Sequence, residues 1–272
     1  MKLLSILIFG VILGTLGVWA DEIGQIARNI LKANEKAVVR VSVVIKQSMS
    51  FGGQPARNRE SKKEIIGTLI DPSGLTLVSL SRIDPGASLA GSESHGIEIK
   101  TELSSIKILL SDGKEVAAKV VLRDKDLDIA FVVPEQKLLE NSFPFISLEN
   151  KTKNPIEIMD EGIILTRAEK TAKRVSMVDV LRINAIVSKP RTFYLSQNIG
   201  SVGSPVFAKD GSLIGVTLIR INSSEGALED VDAVYIILPV DEMNEVVKQA
   251  KEEMEKQWSV PTEEKKEEKE EK

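Results

Sequence analysis

At 272 residues the chain is long enough for one large β domain or two small ones, and its 42 % hydrophobic content can fill a core. Its formal net charge of −4, with no basic cluster, speaks against a nucleic-acid partner. The chain contains no cysteine, which excludes a disulfide framework, a thiolate metal site and a cysteine nucleophile.

Residues 1–20 read as a signal peptide. Lys2 gives a positive start, Leu3 to Val18 is almost wholly apolar, and Val18-Trp19-Ala20 offers a cleavage site followed at once by Asp21-Glu22. The run is short for a membrane-spanning helix. The mature chain is therefore expected to start at Asp21 and to reside outside the cytoplasm, periplasmic or secreted, with an uncleaved anchor as the alternative.

Residues 21–36 predict an amphipathic helix, with Ile23, Ile26, Ala27, Ile30 and Leu31 on one face. From Val38 the period changes to two: Val39, Val41, Val43 and Ile45 alternate with polar residues, as in a half-buried strand. Gln47 to Lys63 is polar with two glycines and reads as a long loop, and Ile83 to Thr101 as another. Glu64 to Ile70, Leu75 to Leu80, Ser105 to Leu110, Glu115 to Leu122 and Asp128 to Val133 are further strands, joined by turn sequences such as Asp71-Pro72-Ser73-Gly74 and Ser111-Asp112-Gly113. Together these short strands suffice for one small barrel.

After a linker near Pro134 to Pro144 come strand candidates at Ile163 to Thr166, Val175 to Val187, Pro205 to Ala208, Leu213 to Ile221 and Ala233 to Leu238. Asp241 then caps a helix carrying Val246, Val247, Ala250 and Met254 on one face. Residues 259–272 form a charged tail dominated by Glu and Lys, which cannot bury anything. Asp124, Asp126 and Asp128 mimic a calcium-loop spacing, but the sixth position of such a loop needs glycine and has Ile129. No metal or other cofactor is expected.

The stretch Asn198-Ile199-Gly200-Ser201-Val202-Gly203-Ser204-Pro205-Val206-Phe207 packs small residues between apolar runs, followed by a Lys209-Asp210-Gly211 hairpin and the strand Leu213-Ile214-Gly215-Val216. It resembles the nucleophile loop of trypsin-like serine proteases, most of all their HtrA/DegP branch, with Gly200, Gly203 and Pro205 in the family's Gly-Asn-Ser-Gly-Gly-Pro pattern. Ile66-Gly67-Thr68-Leu69-Ile70-Asp71-Pro72-Ser73-Gly74-Leu75, Leu109 to Glu115, Arg123 to Ala130 and Val234 to Val240 are similar to further family blocks in the family's order. The resemblance covers Ala37 to Lys251. It implies an all-β fold of two six-stranded antiparallel barrels: residues 37–134 form the first, and residues 135–258 the second with the C-terminal helix. It also implies no PDZ domain at this chain's end.

The family's reaction needs a serine, a histidine that takes its proton and an aspartate that orients the histidine. Matched by motif, those positions fall on Val202, Ser81 and Asp128, so the expected triad is a relic and no residue is assigned a catalytic role. The sole histidine, His95, lies in a polar loop outside these positions. Gly200, Ser201 and Val202 form the matching oxyanion loop, whose backbone donors do not depend on side chains. The sequence thus points to an exported pseudoprotease that binds protein or peptide. An active extracytoplasmic serine endopeptidase and a structural envelope protein are the alternatives, and oligomerisation is left open.

Overall fold

The computed structural model describes residues 22–51, 57–84, 97–137, 143–223 and 231–259. Helix α1 spans Glu22–Asn34 and leads into β1 (Val38–Phe51), β2 (Arg57–Leu69), β3 (Thr76–Ser79), the short helix α2 (Leu80–Ile83), β4 (Ile97–Leu109), β5 (Glu115–Asp124) and β6 (Ile129–Pro134). These six strands close into an antiparallel barrel in the order β1-β2-β3-β6-β5-β4. Strand β6 is buried throughout, and Phe131, Leu77 and Ile108 are among the largest side chains shut away from solvent. Alternating apolar residues supply the inner face.

The expected loop over Gln47 to Lys63 is instead strand for most of its length. β1 and β2 pair from Val38↔Thr68 out to Met49↔Arg57, while β1 also pairs with β4 out to Phe51↔Ile97. Lys46, Glu60 and Lys62 are exposed, so polarity here marks a solvated arm rather than a loop. The ladder satisfies the backbone on both sides of β1, and the composition could not report that. The second expected loop likewise ends early, because β4 begins at Ile97.

The second half holds β7 (Glu161–Arg167), β8 (Ser176–Arg182), β9 (Ala185–Val187), β10 (Phe193–Leu195), β11 (Pro205–Phe207), β12 (Leu213–Ser223) and β13 (Val231–Pro239). They make a curled seven-stranded sheet, β8-β7-β11-β12-β13-β10-β9. Its two ends, β8 and β9, are consecutive in the chain and are separated only by Ile183-Asn184. They are the two arms of the single run expected over Val175 to Val187, bent at that point. Ile183 N–H donates to Asp160 O and Asn184 N–H to Leu195 O, so the bend joins one end of the sheet to the other. Strand β10 is an addition to the expected set.

The first and last helices of the described residues cross over. α1 buries Ala27 and Ile30 against β7 and β8 of the second half. The C-terminal helix α3 (Val240–Ser259) packs on β12 and β13 and also on β5 of the first barrel. Lys251 pairs with Asp71 at 2.8 Å and Trp258 Nε1 donates to Pro134 O at 3.3 Å, tying α3 to the first barrel.

Candidate functional site

Ser79 closes β3 and Ser81 opens the second residue of α2, next to the short turn that brings the chain into β6 at Ile129. Asp128 sits in that turn at a left-handed φ of 57°, which Asp tolerates better than most residues. Its carboxylate is buried and accepts three hydrogen bonds. Ser81 N–H donates to Oδ1 at 2.7 Å, while Ser79 Oγ and Ile219 N–H donate to Oδ2 at 2.6 Å and 3.1 Å. The last of these comes from β12, so Asp128 spans the seam between the halves. Burial pushes its carboxyl above the ordinary aspartate range, and the three donors oppose that shift.

The structure therefore places Ser81 and Asp128 in contact. The two serine hydroxyls stand 3.0 Å apart, and Ser79 spends its proton on Asp128, so Ser81 Oγ can only donate back to Ser79. A hydroxyl cannot stand in for imidazole as a proton acceptor near neutral pH.

The 200–204 loop reaches the same seam from the other side. Thr68 Oγ1 of β2 donates to Gly203 O at 2.8 Å. Gly203 has φ +90° and a Cβ there would lie 2.5 Å from Ile66 O, so both its conformation and its packing on the first barrel require glycine. Gly203 N–H donates to Thr217 O at 2.7 Å and Thr217 N–H to Ser204 O at 2.9 Å, which fixes the loop on β12. Gly200 differs. It is exposed, has no positive φ, and a Cβ would meet nothing within 4 Å. The N–H groups of Gly200 and Val202 make no hydrogen bond among the described residues.

Val202 is 8 % exposed. The neighbouring hydroxyls turn into the second half. Ser204 Oγ donates to Ser201 Oγ at 2.9 Å, and Ser201 Oγ lies 2.7 Å from Thr166 Oγ1. Thr217 Oγ1 bonds Ser201 O at 2.7 Å. Among the described residues, no titratable group is hydrogen-bonded into this cluster. His95 lies outside the described residues. Among those that are described, no group of three or more His, Cys, Asp or Glu could hold a metal ion.

Ser79, Thr68, Thr166 and Thr217 escape sequence reasoning. Their signal is present, since each is a hydroxyl residue within an apolar strand, and three of the four are buried. A polar group placed there must find a partner.

An aspartate buried at the end of a closed barrel, and bonded across the seam to the strand β12 that also holds the Gly203 turn, fits a trypsin-like fold. Comparison with solved structures shows the same fold in HtrA-type proteases. The fold is similar to the HtrA-type protease AlgWS227A with decapeptide, at 17 % identity and a TM-score of 0.55, over 83 % of this chain and 67 % of that one. It is also similar to the same protease with tripeptide, at 16 % identity and a TM-score of 0.52, over 82 % and 62 % of the two chains. This chain thus spans about two thirds of the length of those proteins, and the likeness is one of fold. No family model and no curated protein matches the sequence.

Proposed function

We propose that the protein is an exported pseudoprotease that holds an extended peptide along β12 without cleaving it. The observation that carries this is the free edge of β12 beside an oxyanion-type loop with no nucleophile. β12 pairs with β13 from Gly215↔Pro239 to Ser223↔Val231, but with β11 only over Leu213 to Val216. Thr217 and Ile219 turn their N–H groups away from β13, toward Ser204 O and Asp128. By alternation Ile221 faces the same way. Among the described residues nothing bonds to Ile219 O or to the backbone of Ile221 on this side, which leaves them to an added strand, the usual way an extended peptide is bound. The solved HtrA-type structures of like fold are described with peptides, which supports the reading. The Gly200 and Val202 donors would take a carbonyl or carboxylate oxygen of such a peptide.

The test has two parts. A fluorophosphonate probe is expected to leave the purified protein unlabelled; stoichiometric labelling would make it an active enzyme. Ile221→Pro removes an N–H that serves no sheet bond, and is expected to abolish capture of unstructured peptides while leaving the thermal unfolding transition in place. Unchanged capture would rule out the β12 edge. Export is tested by the intact mass of protein recovered outside the cytoplasm, expected to begin at Asp21.

A further inference from the structure

Two arginines line one notch at the seam, immediately beside the β12 edge. Arg191 and Arg220 share a space of about 10 Å³ with Asp126, Leu127, Phe193 and Ile219. The Arg220 guanidinium carbon lies 5.3 Å from the centre of the buried Phe193 ring. Stacking on an aromatic face fixes the plane of a guanidinium while its N–H edge stays available. Neither guanidinium has a hydrogen bond or an ion pair among the described residues, although both arginines are partly buried and the chain as a whole is acidic. The remaining charge in the notch is Asp126, which is exposed and forms no ion pair with either. Two guanidiniums against one carboxylate leave the notch positive.

Arg220 also stands in register on the strand. It pairs with Val234, between Ile219 and Ile221, whose backbone groups face the free edge. A peptide laid along that edge places one residue opposite Arg220 with its side chain on the same face of the sheet. We infer that this position selects an acidic side chain, Glu or Asp, gripped by Arg220 with Arg191 as the second cation. The inference rests on the peptide-binding reading and names the chemical class of its ligand.

The test titrates the intact mature protein, by fluorescence anisotropy, with capped, labelled octapeptides of Ser, Thr and Val. One Glu is walked through the peptide, and each member has a Gln twin. At one position the Glu peptide is expected to bind roughly tenfold or more tighter than its twin, as a charge-assisted hydrogen bond replaces a neutral one. The advantage should shrink with added salt, vanish in Arg220→Gln, weaken in Arg191→Gln and survive in part in Arg220→Lys. Unchanged affinity for the Gln peptide shows that each variant keeps its strand edge. Where Arg220→Gln loses both peptides, Arg220→Lys decides by keeping or losing the Glu preference. Equal binding of Glu and Gln twins at every position, with both lost in Ile221→Pro, overturns the acidic selection and leaves the edge reading standing. No binding of either twin to the wild-type protein overturns both.

Discussion

In the first barrel the site is held by side chains: Ser79 and Ser81 gather round the Asp128 carboxylate, and their hydroxyls and amides set its position. In the second half the site is held mainly by backbone: Gly203 and Ser204 are laced to Thr217 through main-chain groups, and Gly203 presses on Ile66. The difference matters for what survives a change of sequence. A backbone turn tolerates Val202 at its apex because none of its bonds pass through that side chain. The carboxylate network loses a partner with every change it suffers, and it persists here with serine as its neighbour. A site of this kind can lose its chemistry and keep its shape.

Breaking the backbone half should cost most. Gly203→Ala forces a side chain into left-handed conformation and against Ile66 O, and is expected to destabilise by about 3 kcal/mol. Urea unfolding measures it. An effect below 1 kcal/mol would show that the turn relaxes and that the two halves do not meet there as described.

Next is the clasp beyond the site. Arg167 is buried in the second half and donates to Val38 O at 2.8 Å, Glu35 O at 2.6 Å and Arg174 O at 2.9 Å. Arg40, buried in the first barrel, reaches back to Ala168 O at 3.1 Å and to Arg167 O. Arg167→Met keeps the apolar stem and strands these carbonyls, with an expected loss of about 2 kcal/mol in the same assay.

The side-chain half makes a smaller, pH-dependent prediction. Burial raises the folded pKa of Asp128 above its unfolded value. The folded state therefore holds the proton more tightly, and stability falls as pH rises from the ordinary aspartate value through the raised one. Relative to Asp128→Asn, which cannot titrate, the wild type should lose stability across that window. Paired urea melts at acid and neutral pH read the difference. A difference of the opposite sign would mean that the three donors outweigh burial.

The smallest expected effect is on activity. Val202→Ser restores a hydroxyl and no base, so fluorophosphonate labelling should remain at background. Labelling of that single variant would show that a base reaches the loop after all.

The order of the blocks from Ile66 to Val240 was enough to expect two barrels, since each block is a turn or strand whose spacing is local. What the sequence did not reveal is pairing. Gln47 to Phe51 looks like loop until β2 and β4 are seen on either side of it. The bend at Ile183-Asn184 has no local breaker of the Gly or Pro kind, so one strand was expected where two arms exist. At the site, Ser81 and Asp128 were legible because each follows a recognisable motif. Ser79 and Ile219 were not, because their roles depend on hydrogen bonds to a residue 49 and 91 positions away.

The crossing of the first and last helices has a consequence for how the molecule comes apart. The helix that starts the described chain is seated on the second half, the one that finishes it reaches the first, and Arg40 and Arg167 each spend two of their donors on the opposite side. Either half, made alone, would lose most of the partners of its buried arginine and one of the helices packed on it. Cutting the linker between Pro134 and Pro144 should therefore leave two fragments that stay together and melt in one transition. On this reading the barrel and the curled sheet are expected to unfold as one unit, with no intermediate in which one stands while the other is undone.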